Sequence, residues 1–152
     1  MVSVTDSYDH IISIVENALK DGVILPSVVF ILCEPQHIII PAMYANDREK
    51  KIFHKYAGKL AEAKGALGVV FVSDAWVKSF EKDKESVDLT TPVRDQAGRK
   101  EAVIVTLISP MKRHLTTFTY KKDGDKVISY QKNKEFDSGS GMLFDSYFKI
   151  NA

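Results

Sequence analysis

The chain has 152 residues, of which 45% are hydrophobic, and its 21 Lys and Arg against 20 Asp and Glu leave a formal net charge of +1. A chain of this length suits one domain that buries roughly two-thirds of the surface its unfolded state exposes. The composition excludes the disordered and membrane classes, and the small net charge argues against a whole-molecule field that gathers nucleic acid or anionic lipid. We therefore expect residues 1–152 to form a single domain.

The first predicted element is a helix that Asp6 or Ser7 caps and that Gly22 ends. Apolar residues recur on one face of a 3.6-residue period. These residues are Tyr8, Ile11, Ile12, Val15 and Leu19. We expect this face to pack against the rest of the protein.

Two apolar runs, residues 28–33 and 38–42, predict a β-hairpin that turns at Pro35. Pro41 has no N–H to donate, so the second strand should lie at a sheet edge or end there. Cys33 is the only cysteine and lies within the first run. It is expected to be a buried small hydrophobe, because it has no second cysteine with which to form a disulfide in this chain.

A second helix is predicted between Asn46, with Glu49 three residues later as in a capping box, and Gly65. Its predicted apolar face consists of Ile52, Phe53, Tyr56, Leu60 and Ala63. Its predicted basic face consists of Arg48, Lys51, Lys55 and Lys59. Four aligned cations can follow a phosphate backbone, but a solvated helix face is the preferred interpretation, because no aromatic residue interleaves the cations on this assignment.

The run from 67 to 77 is so uniformly apolar in its middle that other elements should cover both of its faces. It should pair with the strand at 99–110, and the charged stretch between them, residues 78–98, is expected to be a mobile loop. Two further strands, 114–121 and 126–131, are joined at Asp123-Gly124, a strong hairpin dipeptide. These strands predict a meander.

The predicted fold is α+β, with the order α-β-β-α-β-β-β and an apolar C-terminal segment at 137–152. A central antiparallel sheet of about five strands should carry the helices. This element order resembles the profilin-like and roadblock-like α+β sandwiches, over nearly the whole chain. The stretch with Trp76 followed by Arg99, Lys100, Glu101 and Ala102 also resembles uncharacterised prokaryotic or phage proteins, which implies no activity.

Catalytic signatures are absent from the sequence: it has no phosphate-binding glycine loop, no H-E-x-x-H and no C-x-x-C. Its four histidines are scattered over different elements, without a local pair for metal binding or general-base chemistry. We therefore predict no catalytic residue, no metal site and no cofactor.

One polar cluster is a candidate binding site. Asp74 and Trp76 share a face of an extended strand, because they lie two residues apart. If the next strand pairs antiparallel, Arg94, Arg99 and Glu101 should gather near them. Arginine and an indole ring suit a small anionic or planar ligand. The preferred alternative is an ion-pair clasp that pins the loop over a buried tryptophan, because structural ion pairs imitate binding sites.

These features predict a non-catalytic binding or assembly module that forms a homo-oligomer. The strand containing Pro41, the strand at 126–131 and the apolar tail are its candidate contacts. One alternative is a metal-assisted hydrolase or nuclease that uses Asp74, Asp95 and Glu101. Another is nucleic-acid binding by the basic face of the second helix. The N-terminus has no secretory pattern, and no apolar stretch is long enough to span a bilayer, so we expect a cytoplasmic location.

Overall fold

The computed structural model describes residues 3–77, 100–110, 112–133 and 136–137, with only the backbone described at 75–77 and 136–137. Its elements are α1 (Val4–Lys20), β1 (Val28–Leu32), β2 (Ile38–Pro41), α2 (Asp47–Ala63), β3 (Gly68–Val77), β4 (Lys100–Ile108), β5 (Arg113–Asp123), β6 (Lys126–Lys132) and β7 (Phe136–Asp137). The predicted α+β class is confirmed. The predicted mobile loop, 78–98, lies outside the described residues, as does the C-terminal segment 137–152 beyond Asp137.

All the described strands form one antiparallel sheet in the order β2-β1-β3-β4-β5-β6, and β7 pairs with the start of β5. The predicted hairpin and the predicted meander are both present. The described strands exceed the five of the predicted order, because that order omitted one of the six predicted strand segments and because the two-residue β7 adds a short pairing at Leu115. Gly124 has a positive φ of 63° in the β5–β6 turn, as the Asp-Gly pattern predicts.

Helix α1 covers one face of the sheet. The five apolar residues that its period predicts are all buried. They pack against the β3, β4 and β5 side chains that face this helix, including Val72, Val105 and Phe118. The Tyr8 hydroxyl group lies 2.6 Å from Oγ1 of Thr116, which gives this buried polar atom a partner. The predicted cap is wrong: Ser3, rather than Asp6 or Ser7, accepts the N-terminal hydrogen bond.

Helix α2 covers the opposite face over β1 and β3. Asn46 caps it as predicted, by accepting a hydrogen bond from the N–H of Glu49 at 2.9 Å. The predicted apolar face is wrong for three residues, because Ile52, Tyr56 and Ala63 are exposed. The residues that are buried instead are His54, Ala57, Gly58 and Ala61. Three of them are small, so the helix packs closely on the sheet.

The two ends of the sheet differ. Strand β2 is the edge at one end, which confirms the prediction made from Pro41. Strand β6 is the edge at the other end, where the N–H of Val127 donates to the carbonyl oxygen of Gly22 at 3.0 Å. The connection after α1 therefore covers part of the β6 edge, whereas no described strand lies beyond β2.

Candidate functional site

The pairing of β3 with β4 determines where the predicted site residues lie. Trp76 lies opposite Glu101, and Asp74 lies opposite Val103, in an antiparallel register. Because alternate residues of a strand share a face, Asp74 and Glu101 lie on the α1 face, at the end of the sheet where Trp76 pairs with Glu101. The side chain of Trp76 lies outside the described part of the chain. Arg94, Asp95 and Arg99 also lie outside it.

Tyr120, which sequence reasoning missed, links the two strands that carry these acids. It lies on β5 opposite Glu101. Its ring is buried, and its hydroxyl group donates a hydrogen bond of 2.8 Å to a carboxylate oxygen of Asp74. Burial raises the pKa of Tyr120 well above its usual value, and the hydrogen bond to Asp74 and the charges of Asp74 and Glu101 raise it further. The hydroxyl group therefore stays protonated and acts as a donor.

Asp74, Tyr120 and Glu101 begin a row of polar side chains, here called the polar row, and two further contacts extend it across the sheet. Nζ of Lys122 lies 3.4 Å from Oε1 of Glu101. On β6, Tyr130 lies opposite Tyr120, and its hydroxyl group donates to Glu16 of α1 at 3.1 Å. Each described carboxylate in the row thus has a partner on another element. These contacts connect β3 and β4 to β5, and β6 to α1. The loop that the predicted clasp would pin lies outside the described residues, so the clasp stays a prediction.

A groove of about 720 Å³ opens beside this row, and its volume falls in the range of small-molecule sites. The residues that line it are Lys100, Glu101, Thr119, Tyr120, Lys121, Lys122, Gly124, Ser129, Tyr130 and Gln131. Its lysines could attract an anion, although one of them already contacts Glu101. Among the described residues, no group of three His, Cys, Asp or Glu side chains could hold a metal ion. The ligand interpretation remains a prediction.

A second cavity, of about 650 Å³, lies at the opposite end of the sheet. The start of α1, the end of α2 and the turn between β4 and β5 line it. Within it, Nζ of Lys112 donates a hydrogen bond of 2.9 Å to Oγ1 of Thr5. This contact connects the β4–β5 turn to the first turn of α1.

The outer face of α2 has a composition that the sequence analysis did not predict. The four predicted cations are exposed: Arg48, Lys51, Lys55 and Lys59. Ile52 is also exposed, at 59%, and Tyr56 at 62%. The sequence analysis placed Tyr56 on the buried face and therefore assumed that no aromatic residue lies among the cations. That assumption is wrong, because Tyr56 is exposed beside them.

The outer edge of β2 is a second candidate contact surface. Ala42 donates its N–H to the carbonyl oxygen of Ser27 at 2.9 Å, toward β1. Successive residues of a strand direct their N–H groups to opposite edges, so the nitrogens of Ile39 and Pro41 face outward. Pro41 is tolerated there because its nitrogen has no proton to donate. The side chains of Ile39 and Met43 are 60% and 83% exposed.

No family model, no curated protein and no solved structure matches this chain. The two described helices have 17 residues each, and no helix in the described ranges is long and apolar enough to cross a membrane. The polar row and the exposed surfaces of α2 and β2 are therefore the basis for a functional interpretation.

Proposed function

We propose that this protein is an assembly module that forms a homodimer through the outer edge of β2. The observation that carries the proposal is that the chain leaves this edge without a described strand partner while exposing Ile39 beside it. An edge of this kind favours pairing with a second chain, because its backbone groups have not been used within the sheet.

The hydrogen-bonding groups of this edge favour a two-fold arrangement. Ile39 directs both its N–H and its carbonyl oxygen outward, whereas Pro41 offers only a carbonyl oxygen. Two copies that meet antiparallel at Ile39 can exchange two hydrogen bonds between this residue and its equivalent. Such an isologous contact uses the same surface on both chains and closes at two protomers.

The exposed apolar side chains determine the strength of the contact. A stable interface buries about 800 Å² on each partner, which is more than the backbone of a four-residue strand supplies. Ile39 and Met43 must therefore contribute apolar area on either side of the paired strands. We expect a dimer that dissociates at micromolar concentration, because this combined surface is modest.

Sedimentation velocity tests the proposal with two matched variants. Protein concentrations from about 1 to 100 µM cover the range in which a modest interface dissociates. Ile39→Lys places a charge on the β2 edge and should give a monomer at all concentrations. Ile128→Lys makes the same change on β6, at a side chain that is equally exposed at 63%, and should leave the dimer intact. Circular dichroism checks that both variants are folded.

Either of two results contradicts this assembly. One is a parent protein whose mass is that of one chain at every concentration. The other is a dimer that Ile128→Lys dissociates and Ile39→Lys does not, which would move the contact to the β6 edge.

A further inference from the structure

The outer face of α2 combines regular positive charge with an exposed aromatic ring. Lys51, Lys55 and Lys59 are exposed and follow each other at intervals of four residues. A helix rises 1.5 Å per residue, so these lysines lie about 6 Å apart along the axis.

A second row lies beside the lysines. Arg48, Ile52 and Tyr56 are also four residues apart, so they stack along the helix next to the lysine row. The ring of Tyr56 is 62% exposed and therefore offers a π-face to the solvent. The first turn of the helix also contains two acids, Asp47 and Glu49, and the carboxylate of Glu49 accepts a hydrogen bond of 2.6 Å from the N–H of Ala45.

We propose that this face of α2 binds single-stranded nucleic acid. The lysine row and Arg48 contact phosphates, and Tyr56 stacks on a base. Phosphates repeat along a strand as the lysines repeat along the helix, whereas an acidic protein surface has no such repeat. A single strand exposes the faces of its bases, which a duplex does not, and base stacking tolerates any sequence.

Other anionic surfaces fit α2 less well. A helix that lies in a membrane interface embeds a continuous apolar face. The buried face of α2 is instead packed on β1 and β3, through Ala57 and Ala61. The two exposed apolar side chains, Ile52 and Tyr56, are too few to embed the helix. The inference uses α2 alone and does not depend on the β2 dimer.

Fluorescence anisotropy of the full chain with labelled oligo-dT and oligo-U tests the proposal. Oligonucleotides of about 20 nucleotides exceed the site size of most single-strand modules. Four phosphate contacts predict that the logarithm of the association constant falls with the logarithm of the salt concentration with a slope of about −2.8. Lys59→Ala should make this slope shallower by about 0.7. Binding of either oligonucleotide supports the proposal, and a preference identifies the sugar.

Tyr56 variants separate stacking from charge. Tyr56→Ala should weaken binding about 5- to 150-fold, the range for the loss of one stacked base, with the salt slope unchanged. Tyr56→Phe keeps the ring and should bind as the parent does. Lys20→Ala removes an exposed lysine at the end of α1 and should change neither quantity.

Five results would overturn the proposal. Four of them are no binding at micromolar protein in low salt, tighter binding of a duplex of about 20 base pairs, matched in length to the single strands, equal affinity for phosphatidylserine vesicles, and an unchanged affinity in Tyr56→Ala. An effect of Lys20→Ala equal to that of Lys59→Ala would also overturn it, because the binding would then reflect charge anywhere on the surface. Folding does not confound these variants, since each replaced side chain is exposed and alanine favours a helix.

Discussion

Helices α1 and α2 have the same length, 17 residues, but they pack on the sheet in different ways. Helix α1 buries large side chains from Tyr8 to Leu19, whereas α2 buries mainly small ones and leaves Ile52 and Tyr56 in solvent. Large buried residues stabilise the fold through the apolar area that they remove from water. Large exposed residues on a helix that is already packed are available to a partner. The comparison indicates that α1 contributes more apolar burial to stability, and it is consistent with the binding role that we propose for the outer face of α2.

The strongest test of this comparison removes one large side chain from each helix. Leu19→Ala should lower the free energy of unfolding by about 2–5 kcal/mol, because it leaves a cavity where a side chain 2% exposed was packed. Ile52→Ala should change it by less than about 0.5 kcal/mol. Urea unfolding of both variants provides the measurement. Similar losses in the two would show that Ile52 contributes to the core and would remove the distinction between the helices.

A second test enlarges a small side chain on each side of α2. Ala61 is completely buried against the sheet, so Ala61→Leu should lower the free energy of unfolding by about 1–3 kcal/mol through overpacking. Ala63 is exposed, and Ala63→Leu should have an effect below about 0.5 kcal/mol. Thermal unfolding of the pair measures the difference. A tolerated leucine at Ala61 would contradict the close approach of α2 to the sheet.

The smallest expected effect concerns His54, the histidine that α2 buries. Its ring lies 5.0 Å from that of Phe71, centroid to centroid. Burial lowers its pKa below the ordinary value of 6.5, and the charge of Lys50 lowers it further. Because the unfolded chain binds a proton near pH 6.5 and the folded chain does not, stability should fall as the pH decreases below 6.5, until the lower folded pKa is passed.

Urea unfolding midpoints measured from about pH 7.5 to pH 5, a range that brackets the ordinary histidine pKa, report this dependence. His54→Leu should flatten it over this range. His10→Gln, which changes an exposed histidine on α1, should leave it as in the parent. An unchanged pH dependence in His54→Leu would show that another group causes it.

The sequence predicted the buried face of α1 correctly because five large apolar residues share that face and Ile14 is the only large apolar residue exposed elsewhere on the helix. In α2 two apolar stripes overlap, one with Ile52 and Tyr56 and one with Phe53 and Ala57. The prediction placed the first stripe in the core because its two side chains are large. Close packing on the sheet selects the second, because small side chains shorten the distance between the two layers.

The candidate site was predictable only where strand periodicity was sufficient. Alternation placed Asp74 and Trp76 on one face of β3, and antiparallel pairing brought Glu101 to the same end. Tyr120 lies 46 residues after Asp74, and its position depends on the register between β4 and β5. Local sequence does not determine that register. The alternation of Phe118 and Tyr120 could have shown only that these two rings share a face.

Gly22 covers part of the β6 edge of the sheet. Its carbonyl oxygen is bonded to Val127 of β6, and it adopts a positive φ of 81°. A Cβ atom at this position would meet the flexible side chain of Lys126 at 2.9 Å, and the positive φ would strain any residue other than glycine. With part of the β6 edge covered in this way, and Lys126 and Lys132 flanking the strand, strand addition is disfavoured at this end of the sheet. If two copies pair at β2 as we propose, strand addition along the sheet would therefore end at two subunits.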